Sequence, residues 1–171
     1  MEEPLPGAIR QDDWFILLDP VRQTDPLPAA PDTIVGGWMV AEDGAVGPFE
    51  PNPRYIPADD STPTDPVDAL LRRIAAGESL ADDLVEWILN AIVEIGCDEQ
   101  DRPLIGRAPD GVTCAVVATA ALQKQDVDAD RWWPVLGREL PDILPPSTDI
   151  LLNPNGSAPF RLITAVLRAA P

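Results

Sequence analysis

Histidine is absent from all 171 residues. That removes Ser-His-Asp and Cys-His nucleophilic sites, His-ligated zinc or iron, and any imidazole acid–base. Lysine is nearly absent: Lys124 stands alone, and the other basic residues are arginines. Lys124 has no glycine-rich loop and no Ser-x-x-Lys partner, which excludes P-loop phosphate binding and the serine–lysine acyl enzymes. Cysteine is confined to Cys97 and Cys114, each in an apolar run that reads as a strand. Small buried hydrophobes with reduced thiols are the plain expectation; a redox pair would require neighbouring strands to bring the two opposite each other. No apolar run approaches the roughly 20 residues that span a bilayer. The opening Met1-Glu2-Glu3-Pro4 is acidic, unlike a signal peptide, so the expected location is the cytoplasm.

Positive charge is scarce as a whole. Twelve basic residues face 29 acidic ones, for a net charge of −17 and a pI near 4.1. Such a surface repels nucleic-acid phosphates and anionic lipids, so neither is an expected partner. The acids are scattered in pairs such as Asp12-Asp13, Asp59-Asp60 and Asp82-Asp83. Solubility accounts for that better than mimicry of nucleic acid, which needs a continuous stripe.

Proline is plentiful at 21 residues, but it clusters between periodic segments and so punctuates a folded chain. Strands are expected at 13–19 and 33–40. The latter runs through an Asp43-Gly44 hairpin to an edge strand at 45–49, where Pro48 cannot donate to a ladder. Thr64-Asp65-Pro66-Val67-Asp68 announces a helix: Asp65 caps it, Pro66 suits its first position, and Val67, Leu70, Leu71 and Ile74 form one apolar stripe closed by Gly77. Ser79 resembles the cap of a second helix through Leu89. Strands follow at 91–97, 103–107 and 112–119, the last two joined by an Asp110-Gly111 hairpin. Pro134, Gly137 and Pro141 break 120–143 into short helical turns. A strand at 149–152, a return at 160–162 and a final helix capped by Thr164 complete the pattern. The mixture predicts an α+β fold with a mixed or mostly antiparallel sheet, two central helices and a short C-terminal helix. Residues 1–12 are expected to be a flexible acidic N-terminus, and 13–171 one α+β domain divisible into a strand-and-hairpin lobe (13–62) and a second lobe (63–171).

Few motifs carry chemistry. Asp126-x-Asp128-x-Asp130 opens like a calcium loop, but Arg131 and Gly137 stand where that loop needs glycine and glutamate, so no metal is expected. Asn52-Pro53-Arg54-Tyr55 matches a tyrosine-based adaptor signal, with ring packing as the plainer account. No acid is marked as catalytic, and no cofactor is expected. Trp132-Trp133-Pro134 is the best local candidate for a binding surface. Adjacent side chains in regular structure cannot both enter one core direction, so at least one of Trp132 and Trp133 can be exposed for an interface; the plainer expectation is an irregular loop that lays both rings on the core edge.

Gly36-Gly37-Trp38, Asp43-Gly44, Asn52-Pro53-Arg54-Tyr55-Ile56-Pro57 and Thr64-Asp65-Pro66-Val67-Asp68-Ala69, in this order and spacing, resemble the actinobacterial type VII secretion system-associated protein family. Asp101-Arg102-Pro103-Leu104, Ala108-Pro109-Asp110-Gly111, Leu144-Pro145 and Asp149-Ile150-Leu151-Leu152-Asn153-Pro154 are similar to an SseB-type domain, so that 63–171 is expected to be an SseB-like lobe. Together they cover most of 13–168; residues 120–133 match no pattern. The resemblance implies association with secretion machinery and supplies no catalytic residues. The expected function is a non-catalytic cytoplasmic adaptor or chaperone-like protein binding a type VII component or substrate. The competing expectation is a small-ligand or redox enzyme using a cleft between the lobes, which needs a perturbed carboxylate or Cys97 beside Cys114.

Overall fold

The computed structural model describes residues 3–23 and 27–170. Four strands, β1 (Ile9–Gln11), β2 (Trp14–Leu18), β3 (Ile34–Val40) and β4 (Val46–Pro51), form an antiparallel meander in that order. The β3–β4 turn closes on Gly44, whose φ of 87° only glycine adopts readily, while the Asp43 carboxylate accepts from the Ala45 amide at 3.0 Å. Pro48 lies in β4, at the sheet edge as expected. Within the segment expected to be flexible, Ile9–Gln11 pairs with β2. Its short isoleucine-led run finds a partner strand that local sequence does not announce.

Helix α1 (Pro66–Ala75) follows, capped by Asp65 and buried along Val67, Leu70 and Leu71. Burying such a side chain contributes about 1.5–3 kcal/mol in transfer free energy. Gly77, at φ 98°, ends it, with the Gly77 and Glu78 amides donating hydrogen bonds back to the Ile74 and Arg73 carbonyls. Helix α2 (Ala81–Leu89) departs from expectation at its start. Its N-cap is Leu80 and no side chain caps it, so Ser79 has no such role. Leu80 packs on the core, and Asp82 and Asp83 in the first turn complement the helix dipole.

The second sheet contains β5 (Ile92–Cys97), β6 (Ile105–Arg107), β7 (Thr113–Ala118), β8 (Arg131–Leu136), β9 (Asp149–Leu152) and β10 (Phe160–Leu162). Its order is β10-β9-β7-β5-β8, with β6 on β7, and only the β7–β9 pair is parallel. Short helices α3 (Leu140–Ile143) and α4 (Thr164–Ala169) complete an α+β fold. Thr164 opens α4 without capping it; its hydroxyl donates instead to the Thr148 carbonyl at 2.7 Å.

The largest departure is β8. Residues 131–136 were expected to form helical turns, yet they pair along their whole length with β5. The Gly137 amide donates to the Ala91 carbonyl at 3.0 Å, in the same register. Alternation then directs the backbone groups of Val135 and Trp133 toward β5, and those of Trp132, Pro134 and Leu136 away from it. Pro134 therefore withholds an N–H only from the outer side, where the ladder needs none.

One apolar cluster spans both sheets and both long helices, including Phe15, Trp38, Phe49, Leu71, Ile88 and Ile150. Trp38, Phe49 and Trp87 meet at centroid distances of 5.0–6.2 Å.

Candidate functional site

The two tryptophans singled out above are separated by the strand they share. Trp132 lies opposite Gly96, and its indole lies against β5, where a Cβ placed on Gly96 would meet the ring at an ordinary contact distance of 3.5 Å. The Lys124 ammonium stands 5.6 Å from that ring's centroid and is ion-paired with Glu94. Trp132 is half-buried packing. Trp133 lies opposite Ile95, on the core side of the sheet, but at its rim, and is 52% exposed. Neither ring comes from an irregular loop.

The outer side of β8 pairs with no strand among the described residues. Its N-terminal end meets the turn after β5. There Arg131 pairs with Asp101 at 2.8 Å and Arg102 with Asp98 at 2.8 Å. Glu99, Asp128 and Asp130 around the same end are exposed and form no salt bridge among the described residues. The site thus combines a projecting indole, a row of outward backbone groups and unneutralised negative charge.

A second constellation, which sequence reading assigned only to helix capping, ties α1 to the second sheet. Asp65 is fully buried. Its Oδ1 accepts from the Val67 and Asp68 amides at 2.9 and 3.0 Å, and its Oδ2 from the Thr64 and Thr119 hydroxyls, both at 2.8 Å. Asn153 donates to the Thr119 hydroxyl at 2.9 Å, and Gln123 to that of Thr64 at 2.8 Å. Burial pushes the Asp65 carboxyl above its usual range, against these donors, which pull it down. Asp68 accepts from the Thr64 amide and from Arg72, while its Oδ1 is buried without a partner. Beside this network opens a polar cleft of about 710 Å³, lined by Thr62, Thr64, Arg72, Gln123 and Asp126 among others. An apolar pocket of about 420 Å³ lies on the other flank of Asp65, against Leu17, Leu70 and Trp87. The perturbed carboxylate sought for a ligand cleft is therefore present, but its lone pairs are already committed to the fold.

Cys97 and Cys114 belong to different apolar clusters on opposite faces of the sheet, so they form no redox pair. Burial pushes both thiols above their ordinary range. Tyr55 is buried, its hydroxyl donating to Asp19 Oδ2 at 3.0 Å, and Asn52 ties its own loop to the Pro31 and Ile34 carbonyls. The ring of the Asn52–Tyr55 motif is packing. Asp126, Asp128 and Asp130 are all exposed, and no group of three or more metal-ligating side chains gathers among the described residues. No described helix is long and apolar enough to cross a membrane.

No family model, curated protein or solved structure matches this chain.

Proposed function

We propose that this protein is a non-catalytic, cytoplasmic adaptor or chaperone-like accessory protein that acts by binding another protein, with a component or substrate of type VII secretion as the partner its sequence resemblance suggests. The observation that carries the protein-binding part is Trp133: a large indole half in solvent on an open sheet edge, beside acids that no neighbour neutralises. Large aromatic side chains of this kind supply a disproportionate share of binding energy at interfaces. The secretion assignment rests on the ordered Gly36–Trp38, Asn52–Pro57, Thr64–Ala69 and Asp149–Pro154 blocks.

The test is capture from an actinobacterial lysate with the tagged protein and with Trp133→Ala, washed at low and high salt and read by mass spectrometry. Enrichment of a type VII component by the wild type and its loss with Trp133→Ala is the expected result. Identical recoveries with the two proteins would overturn the Trp133 reading, and no type VII component in either would overturn the secretion assignment. Loss of the partner in high salt would assign the contact to the acidic surface, and retention would assign it to the indole.

A further inference from the structure

We propose that the outer edge of β8 accepts an extended, lysine- or arginine-rich segment of a protein partner as an added strand beside Trp133. This names the partner chemistry for the site above and rests on the protein-binding reading. Three observations converge on it.

The backbone comes first. The Gly137–Ala91 bond and the Trp133–Ile95 and Val135–Val93 register direct the N–H groups of Trp132 and Leu136, and the carbonyls of Trp132 and Pro134, away from the sheet. An incoming extended chain can use each of these groups. Pro134 removes the middle donor, so the edge offers a short, spaced set of contacts instead of a long uninterrupted template.

Charge selects the occupant. Lys124, Arg102 and Arg131 are each held by an acid of this chain, whereas Glu99, Asp128 and Asp130 at the same end of β8 are not. A basic segment would meet uncompensated negative charge there and an indole face suited to a cation. A second copy of this chain fits poorly, because it carries the same −17 and would set Pro134 against Pro134 at the centre of an antiparallel pair.

The geometry also supplies a selective probe. Leu136 already has φ −72°, the value proline imposes, and its N–H faces outward. Leu136→Pro should therefore delete one outward donor while leaving the β5–β8 ladder intact.

The experiment uses fluorescein-labelled peptides of about eight residues and anisotropy with the full chain. One alternates lysine and valine, one alternates lysine pairs with proline pairs, and one alternates glutamate and valine. Paired prolines keep the charge but remove N–H donors from both edges of the strand. The expected result is binding of the lysine–valine peptide alone, weakened by salt, by Trp133→Ala, and about fivefold by Leu136→Pro, the loss of one hydrogen bond. Circular dichroism and thermal melting confirm that each variant folds, and Trp133→Ala leaves every backbone group in place. Equal binding of the lysine–valine and lysine–proline peptides would reduce the effect to charge and overturn the proposal. So would no binding, or unchanged binding by both variants. Trp133-dependent capture of a type VII component without lysine–valine binding would sink strand addition and leave the adaptor reading standing; the reverse pattern would sink only the secretion assignment.

Discussion

The Thr119 hydroxyl, at the C-terminal end of β7, donates to Asp65 Oδ2 at 2.8 Å across 54 positions of sequence. That bond ties the cap of α1 to the larger sheet. The same carboxylate therefore both starts a helix and fixes where the helix sits.

Asp65→Ala should accordingly cost more than an ordinary cap. A lost N-cap costs about 1 kcal/mol, and the buried Thr64 hydroxyl left without an acceptor adds to it while Thr119 turns to Asn153 Oδ1 at 3.2 Å, for roughly 2–4 kcal/mol in total. Urea denaturation of the variant against the wild type measures this. A loss below about 0.5 kcal/mol would show that the network contributes little.

Tyr55 gives the fold an alkaline limit. Burial and the Asp19 carboxylate both raise its phenol far above the ordinary value. The folded state then holds the proton more tightly than the unfolded chain, so the stability it contributes is complete below about pH 10 and declines as pH rises beyond that. Tyr55→Phe should be less stable at neutral pH by about 1.5–3 kcal/mol, the range for a hydrogen bond to a charged group. Above pH 10 the gap between the two proteins should narrow. Denaturant midpoints across pH 8–11 test it; a constant gap would contradict the linkage.

Much of this was legible locally. Asp65, Pro66 and the Val67–Ile74 stripe specify α1 from neighbours alone, and the Asp43-Gly44 and Asp110-Gly111 turns specify two hairpins, because capping and positive φ are short-range properties. What failed to show is what depends on distant partners. Pro134 argues against a strand until β5 is seen to lie on only one side of it. Asp65 reads as a cap, and nothing within ten residues announces Thr119, Gln123 or Asn153. Of the candidate site, the tryptophan pair itself was legible, but the plainer expectation of two rings packed from an irregular loop fails, because β5 draws 131–136 into a strand that sends Trp132 and Trp133 to opposite faces. Which of the two is exposed followed only from Gly96 and Lys124, 36 and 8 positions away from Trp132.

Gly36 and Gly37 are required for packing. A Cβ on Gly36 would run into the Glu50 carbonyl and the Phe49 ring, and one on Gly37 into the Phe15 carbonyl, whereas Gly106 has open space around it. Gly36→Ala should destabilise by about 1–3 kcal/mol, the cost of overpacking, and Gly106→Ala should be within about 0.5 kcal/mol of wild type. Thermal melting of the pair decides it, since equal effects would mean the β3–β4 contact relaxes freely.

Because Cys97 and Cys114 are buried on opposite sheet faces with thiols pushed toward the protonated form, they should react with a disulfide reagent only after unfolding. Thiol titration with and without denaturant reads this directly. Mass spectrometry after mild oxidation should find no intramolecular disulfide in the native protein, and its appearance would require the strands to be arranged differently.

Trp132 and Trp133 should separate stability from binding. Trp132 packs over Gly96 beneath Lys124, so Trp132→Ala removes buried aromatic area and a cation–π contact and should cost about 2–4 kcal/mol. Trp133 is 52% exposed, and Trp133→Ala should cost no more than about 1 kcal/mol. In acrylamide quenching, Trp133→Phe should remove the most accessible part of the emission, and Trp132→Phe should leave it. If the quenchable fraction instead follows Trp132, the indole on the partner-facing edge is the other one, and the binding variants must be exchanged accordingly.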